Sequence, residues 1–409
     1  MEVSNVALWA LQPNSTALKI AAREYPNSVY DEDDVIKMAP SISSRMVKAL
    51  TIAAVLALTL PSHAQHVADP RASLIDVPAR LALLKSTKEP LLRDAIKSLS
   101  SCRSLPPIPP PKGRMIIPNG YLSGSSGPHN PAAAVAAKIY DELEKRVAAG
   151  MNQYLATGSH AESACALDQI DTWAKAGAML DYDRKESQQA WFQVEWTLSA
   201  IAVSESVLVE DDTLDPAEQK RVIAWMDEVS NKNISFEKPA TDTGNNHHAW
   251  RALAATAVGI LASDDKLFQF GIATYKEEIG TIDQNGALPR EMVRHENSVH
   301  YQGFALQPLV LIAQFDSRQG IDLWNYTANG HTIRDAIVFF GRSASDLSLI
   351  KPYTNDIQRP GFPDRDFAVY NFYVAKFGTE GLPPIIVKAL KNSVSEDRLG
   401  GNTTLLTGK

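Results

Sequence analysis

The 409-residue chain has little of several features that would assign it to a common functional class. It contains only two cysteines, and a pair of cysteines cannot form a conventional four-ligand zinc site unaided. No segment matches a nucleophile elbow, a P-loop or a zinc-protease helix. The formal net charge is −7, which argues against a general nucleic-acid binder because such proteins need a basic surface. A polyanionic substrate remains compatible with this charge if the binding groove is locally basic.

The apolar runs of the chain are too short to cross a membrane, which takes about 20 apolar residues. One run, at 49–60, follows Arg45 and Lys48 and precedes small residues that end at Ala64. This order of basic, apolar and small residues predicts a secretory signal peptide over 38–64, cleaved near Ala64. We therefore expect a periplasmic or secreted protein with no membrane anchor in its mature form; a membrane-anchored form is the alternative.

Residues 1–37 show no pattern of a folded segment, and an acidic run lies near their end. We interpret them as an upstream extension that is absent from the mature protein. Both cysteines, Cys102 and Cys165, lie in the exported part. An even number of cysteines in an oxidising compartment favours one disulfide, and two unrelated buried thiols are the alternative.

The mature chain, 65–409, has helical spacing of apolar residues almost throughout and no strong strand pattern. We expect a single all-α domain of helical hairpins joined by short loops, arranged in a ring or a solenoid. The predicted helices lie at 76–100 (one or two helices), 132–156, 163–180, 184–209, 215–231, 246–262, 264–279, 298–315, 319–341, 364–376 and 384–392.

A glycine- and proline-rich stretch at 113–131 interrupts the helices and contains Tyr121. Long loops in compact domains are often lids or binding segments, so this stretch predicts a lid; a disordered linker is the alternative. Aromatic side chains on several helices, including Trp196 and Trp250, are candidates for stacking on sugars, although a core role is common for each.

The first chemical motif is the stretch 244–251, which reads Gly-Asn-Asn-His-His-Ala-Trp-Arg and precedes an apolar helical run. Asn245 or Asn246 suits the N-cap of that helix. The polar cluster would then occupy the first helical turn, where free N–H groups favour a carboxylate. A capped helix with surface histidines is the alternative interpretation.

The second motif, 285–301, carries Arg290 and Arg294 four residues apart, followed by His300 and Tyr301 at the start of an apolar helix. The two arginines would share a face if the segment were helical. Asn, His, Arg and Tyr suit proton abstraction beside a carboxylate, because amides and cations neutralise the carboxylate while His or Tyr moves the proton. Hydrolysis of a glycosidic bond normally uses two carboxylates, for which Glu291 and Glu296 are loosely placed.

These motifs, together with 164–167 and 173–178, resemble those of the alginate lyases of polysaccharide lyase family five, the poly(β-D-mannuronate) lyases. The resemblance covers about 77–376 and implies an (α/α) toroid with a deep substrate cleft and a lid. It implies a monomeric enzyme that needs no cofactor and no metal. The implied substrate is an anionic polysaccharide, alginate or a related polyuronate. The implied catalytic residues are Asn246, His247, Arg294 and Tyr301. The continuation His248-Ala249 departs from the usual Ser-Tyr of the family and leaves substrate preference open.

The implied reaction is β-elimination, in which Asn246 and Arg294, assisted by His247, neutralise a uronate carboxylate. Tyr301 takes the C5 proton and protonates the departing O4. Tyrosine is a weak base at its ordinary pKa of about 10, so we expect Arg294 or Arg290 to lower the pKa of Tyr301. For a C5 epimer, His247 on the opposite face is the candidate base. The predicted substrate-binding residues are Tyr121, Gln189, Trp196, Trp250, Arg290, His300 and Arg365. Alternatives are a lyase of glucuronate polymers or hyaluronan, an inactive polysaccharide-binding protein, and a helical hydrolase.

Overall fold

The computed structural model describes residues 65–123, 126–238 and 244–408. The predicted upstream extension, 1–37, and signal peptide, 38–64, lie outside these ranges, as do residues 124 and 125 of the predicted lid. All of the described residues belong to one structural unit. Within the described part of the chain, no helix has both the length and the apolarity needed to span a bilayer.

Helices dominate the described residues, as predicted. The α-helices are α1 (Val77–Ser86), α2 (Pro90–Lys97), α3 (Pro131–Thr157), α4 (His160–Lys175), α5 (Gln188–Leu208), α6 (Pro216–Ser235), α7 (Asn246–Ala262), α8 (Asp265–Thr281), α9 (Pro289–Met292), α10 (Ser298–Arg318), α11 (Ile333–Ser345), α12 (Val369–Phe377), α13 (Pro384–Ala389) and α14 (Thr403–Thr407). Short 3₁₀ turns lie at Cys102–Ser104, His295–Asn297, Leu347–Ile350, Asp364–Phe367 and Asp397–Leu399.

The long helices form two layers. Helices α3, α5, α7 and α10 contact one another in chain order and form the inner layer. Each packs against the helix that follows it in the chain, so that the pairs are helical hairpins; α4 and α6 also contact each other in the outer layer. This is the arrangement of an (α/α) toroid, and the predicted fold class is confirmed.

Helix α7 lies at the centre of the inner layer and is buried on nearly every face. Its run of small and aliphatic residues from Ala252 to Leu261 allows close approach by α5, α8 and α10. A Cβ on Gly259 would lie 2.6 Å from the backbone nitrogen of Phe268 in α8, so glycine is required for this contact. The position of the catalytic candidates at the start of α7 is therefore fixed by tight core packing.

Several predicted helix boundaries are wrong, and two of them have a clear local cause. The helix predicted at 319–341 begins only at Ile333, because 319–332 form turns with positive φ at Gly320 and Gly330, and a capping box of Thr332 and Asp335 fixes the start. The helix predicted to reach 180 ends at Lys175, ahead of the left-handed Gly177.

The described chain also contains four short strands that the sequence pattern does not reveal. Strands β1 (Tyr121–Ser123) and β2 (Ser126–His129) form an antiparallel hairpin within the predicted lid. Strands β3 (Ser395–Glu396) and β4 (Gly401–Asn402) pair near the C-terminus. Segments of two to four residues are too short to show the alternation by which strands are recognised.

The predicted disulfide between Cys102 and Cys165 is confirmed and links residues 63 positions apart. It joins the 3₁₀ turn at Cys102–Ser104 to α4. Arg146 in α3 donates to the carbonyl of Cys102, and Glu162 accepts from the backbone N–H of Cys102 at 2.8 Å. The N-terminal segment is thus attached to the first helical hairpin by both a covalent bond and buried polar contacts.

Candidate functional site

The N-terminus of α7 presents the first half of the site. Asn245 is the N-cap, and its side-chain oxygen accepts from the backbone N–H groups of His247 and His248 at 3.0 and 3.3 Å. Gly244 precedes it with φ of +70°, a conformation that favours glycine. The cap predicted at Asn245 or Asn246 is therefore Asn245, and Asn246 and His247 occupy the first helical turn.

Asn246 is fully buried and is held by a carboxylate. Its backbone N–H donates to Glu291 Oε1 at 2.6 Å, and its Nδ2 lies 3.1 and 3.0 Å from Glu291 Oε1 and Oε2. Glu291 comes from the short helix α9. Burial raises the pKa of Glu291 to about 7, although Arg294 and the Asn246 donors oppose this increase. Glu291 thus orients the Asn246 amide, which was not apparent from the sequence.

His247 is held by a second buried carboxylate. Its Nδ1 lies 2.6 Å from Oε1 of Glu195, a residue of α5 with no exposed surface. The imidazole stacks on Phe192 with a centroid separation of 3.5 Å. Burial, followed by the charges of Arg251 and Arg294, holds the pKa of His247 well below its ordinary value. His247 is therefore a neutral imidazole in a fixed orientation.

Arg251, one turn further along α7, completes this buried network. Its Nη1 donates to Glu195 Oε2 at 2.7 Å, and its Nε donates to Glu237 Oε2 at 2.6 Å. The guanidinium also lies 3.9 Å from the ring centroid of Trp191. Because Arg251 is almost completely buried and contacts two carboxylates, it stabilises the charge that holds His247.

Tyr301 and Arg294 form the second half of the site. The Arg294 guanidinium lies 3.9 Å from the centroid of the Tyr301 ring, in the first turn of α10. Arg294 also affects His247, as its charge contributes to the lowered pKa of that imidazole. The structure therefore brings together all four residues predicted as catalytic, Asn246, His247, Arg294 and Tyr301.

The expected lowering of the Tyr301 pKa is wrong for this state of the site. Arg294 does act in that direction, but burial is the larger effect and raises the pKa of Tyr301 above its ordinary value, as does the contact with Tyr121. Arg290, whose side chain is exposed, does not offset this increase. Tyr301 is consequently a neutral phenol when no sugar is bound.

The lid hairpin reaches the site directly. Tyr121 in β1 places its hydroxyl 2.7 Å from the Tyr301 hydroxyl, and its ring stacks on His129 in β2 at 4.8 Å. At the base of the lid, a Cβ on Gly120 would lie 3.1 Å from Oε1 of Gln189, in the first turn of α5. Tyr121 and Gln189, both predicted to bind substrate, are thus at the mouth of the site.

The two tryptophans predicted to bind substrate have different positions. Trp196 is half-buried, its ring lies 5.6 Å from that of His247, and the Arg398 guanidinium lies 4.6 Å from its centroid. Trp250 has no exposed surface and packs on Phe304 at 5.1 Å. The prediction of Trp250 as a sugar contact is wrong, because the side chain points into the core between helices α7 and α10.

The remaining predicted binding residues lie further out. Arg290 and Arg294 do not share a helical face, since α9 ends at Met292 between them. His300 stacks on Phe362 at 4.4 Å and its Nδ1 lies 3.4 Å from Asp366 Oδ2, so it is engaged by a neighbouring loop. Arg365 is exposed and lines a polar cavity with Lys145 and Asp397.

Several residues of the site, among them Glu291, Glu195 and Arg398, were not predicted in these roles from the sequence. Glu291 had only a loose role in the hydrolase alternative, and Glu195 was missed. Glu195 had one recognisable signal, because it lies between Trp191 and Trp196 in a helix that is mostly apolar, where a carboxylate is costly unless it is paired. Arg398 was also missed; it lies near the C-terminus and reaches Trp196 only through the fold.

Comparison with known proteins identifies the family. The family model described as alginate lyase matches residues 110–348, more than half of the chain. A polysaccharide lyase of Stenotrophomonas maltophilia (strain K279a) is 31% identical over 265 residues, which are 63% of this chain and 76% of that protein. An alginate lyase of Pseudomonas syringae pv. syringae (strain B728a) is 28% identical over 193 residues, 46% of this chain and 50% of that relative. The chain thus spans about half the length of the Pseudomonas protein.

The fold comparison agrees with the family match. Alginate lyase A1-III, from Sphingomonas species A1, was solved as a variant complexed with tetrasaccharide; it has a TM-score of 0.79 and 36% sequence identity, over 84% of this chain and 97% of that chain. This structural match extends beyond the residues that the family model covers. The chain therefore belongs to the alginate lyase family.

Proposed function

We propose that this protein is a polysaccharide lyase that cleaves alginate, with mannuronate blocks as its preferred substrate, by β-elimination. The observation that carries the proposal is the convergence of Asn246, His247, Arg294 and Tyr301 beneath a lid tyrosine. The tetrasaccharide complex of alginate lyase A1-III supports an oligosaccharide as the ligand of this fold.

In the proposed reaction, Asn246 and Arg294 bind the uronate carboxylate and stabilise the charge that develops when C5 loses its proton. The electron pair of the C5–H bond forms the C4–C5 double bond, the C4–O4 bond breaks, and O4 leaves with a proton. In mannuronate the C5 proton and O4 lie on the same side of the sugar, so Tyr301 alone can accept one proton and donate the other. Because one residue is sufficient for both proton transfers, this geometry favours mannuronate as the substrate.

The raised pKa of Tyr301 sets the expected pH dependence. The base in this mechanism is the phenolate, whose fraction increases with pH below the pKa. We therefore expect kcat/KM on polymannuronate to rise as the pH is increased from neutral, which steady-state rates across a pH series will measure. A rate that falls steadily above neutral pH would contradict the assignment of Tyr301 as the base.

The test of the function is ultraviolet absorbance of the unsaturated product on polymannuronate, polyguluronate, polyglucuronate and hyaluronan. Wild-type protein should produce the signal, fastest on polymannuronate, and Tyr301→Phe should lose about a hundredfold or more of the rate. Tyr326→Phe is the matched control, because this half-buried tyrosine lies beside Lys276 and outside the site. Cleavage without absorbance would indicate a hydrolase, and silence of the folded protein on all four polymers would favour the binding-protein alternative.

We also propose that the protein acts as an exported monomer after cleavage near Ala64. The order of residues over 38–64 and the disulfide between Cys102 and Cys165 support export and cleavage, the first part of this proposal. N-terminal sequencing of protein from the periplasm and the medium, with its mass in solution, is the test. A mature form that begins at Met1 would refute it.

A further inference from the structure

The contact between His247 and Glu195 has a property that the proposed catalytic mechanism leaves unused. His247 Nδ1 and Glu195 Oε1 lie 2.6 Å apart, a distance that requires one proton between the two atoms, carried by one or the other. The second oxygen, Oε2, accepts from Arg251 at 2.7 Å. Arginine can only donate, so Oε2 stays an acceptor and Oε1 is the atom of Glu195 that can hold a proton.

We propose that Glu195 is a positioning residue that sets which ring nitrogen of His247 carries a proton, and thereby whether His247 meets the sugar as a proton acceptor or a donor. When Glu195 is ionised, it accepts from Nδ1–H, and Nε2 is a bare acceptor. When Glu195 is protonated, it donates to Nδ1, and the ring carries its proton on Nε2. The consequence for catalysis rests on the proposed lyase function; the proton arrangement itself does not.

The surroundings allow this exchange without forming an imidazolium. Burial raises the pKa of Glu195 well above its ordinary value, against the opposing effect of Arg251, and the pKa of His247 is lowered. When the pH falls and the pair gains a second proton, Glu195 therefore becomes a neutral carboxylic acid and His247 stays a neutral imidazole. The charged and titratable groups that act on the pair are Arg251 of α7, Glu237 after α6, Arg294 after α9, Arg398 of the C-terminal 3₁₀ turn and Tyr182 before α5.

The two forms suit different substrates. A bare Nε2 can take the C5 proton on the face opposite Tyr301, while the C4–C5 double bond forms, C4–O4 breaks and Tyr301 protonates O4. This is the geometry of a C5 epimer such as guluronate. With Nε2–H, His247 can only donate a hydrogen bond, for example to the uronate carboxylate. Mannuronate cleavage by Tyr301 needs no base at His247, so Glu195 controls the range of epimers that are cleaved.

Arg251 makes Glu195→Gln a precise test. In this variant the Gln oxygen must accept from Arg251, so the Gln NH₂ group faces Nδ1 of His247 and donates to it. The variant should therefore keep His247 in the Nε2–H form at every pH. Glu237→Gln is the matched control: it also loses a carboxylate beside Arg251, but leaves Glu195 in place. Because Glu237 raises the pKa of Glu195, the control should switch at a lower pH than wild type.

The decisive measurement is a long-range ¹H–¹⁵N correlation spectrum of ¹⁵N-histidine-labelled protein across a pH series, with His247→Gln used for assignment. We expect wild-type His247 to change from Nε2–H to Nδ1–H as the pH rises, with no imidazolium, and Glu195→Gln to show no change. One tautomer at every pH in the wild type, or an imidazolium on acidification, would overturn the proposal; so would a Glu195→Gln spectrum that still switches. The wild-type titration decides the question even if a variant fails to fold.

Kinetics then test the consequence. The wild-type rate on polyguluronate should rise with pH through the tautomer change of His247 and then level off, whereas the rate on polymannuronate continues to rise with the Tyr301 phenolate. Glu195→Gln should lose about a hundredfold on polyguluronate and a clearly smaller factor on polymannuronate. Equal losses on both polymers would contradict a role in epimer range. Absence of ultraviolet product from every polymer would refute the proposed function, and the tautomer spectra would still decide the role of Glu195.

Discussion

Replacement of Glu291 by Gln should make the protein more stable at alkaline pH and less active. The pKa of Glu291 is raised from 4.5 to about 7 in the folded protein, chiefly by burial. Between these values the unfolded chain releases the proton of Glu291 while the folded chain keeps it, so the free energy of unfolding decreases as the pH rises. Above pH 7 the full loss of unfolding free energy applies. The difference between the two pKa values makes this loss about 3 kcal/mol.

Gln at this position cannot titrate, so the cost disappears in the variant. Urea denaturation of wild type and Glu291→Gln at about pH 4 and about pH 9 should show the variant gaining about 3 kcal/mol relative to wild type over this interval. The rate on polymannuronate should fall at least about tenfold, since Asn246 loses one or more charged hydrogen bonds, each worth about 1.5–3 kcal/mol. Glu142→Gln, on the exposed face of α3, controls for removal of a carboxylate. If the difference in unfolding free energy between variant and wild type were the same at the two pH values, the reasoning would be refuted.

Three further predictions concern the disulfide, the core and the lid. Joint replacement of Cys102 and Cys165 by Ser should lower the free energy of unfolding by about 4 kcal/mol, because the bond closes a long loop, with little change in KM; equal urea midpoints would contradict this. Trp250→Phe should lower stability by about 1–3 kcal/mol but leave KM unchanged, and a raised KM would show that the buried ring contacts the sugar after all. Tyr121→Phe removes a group that raises the pKa of Tyr301, so the alkaline rise in kcat/KM should move to lower pH; an upward shift would count against this assignment.

The sequence was sufficient to predict the helical class, the disulfide and the four catalytic candidates. Helices such as α6 carry local signals, with Asp215 as cap and Pro216 in the first turn, and these signals can be recognised without knowing the tertiary contacts. Asn246 and His247 were found because they are adjacent and because the family motif includes them. Local chemistry and resemblance therefore identified the four candidates that the fold brings together.

What the sequence could not predict depends on contacts between distant segments. Glu195 lies 52 residues from His247, and Glu291 lies 45 residues from Asn246, so no local spacing connects them. The burial of Trp250 follows from its position in the inner layer, and an isolated tryptophan has the same sequence signal in a core and in a cleft. The raised pKa of Tyr301 likewise reflects desolvation, which only the assembled site reveals.

The complete enclosure of α7 has a consequence for how this scaffold can diversify. Nearly every residue of α7 after His247 is in contact with neighbouring helices, so most substitutions there would damage the fold before they altered recognition. Changes that retune the enzyme toward another polymer must then accumulate on the periphery: the Tyr121 hairpin, the segment around Arg290 and the loops that hold His300 and Arg365. Evolution of new activities on this architecture should thus conserve the reaction and change the residues around the edge of the site.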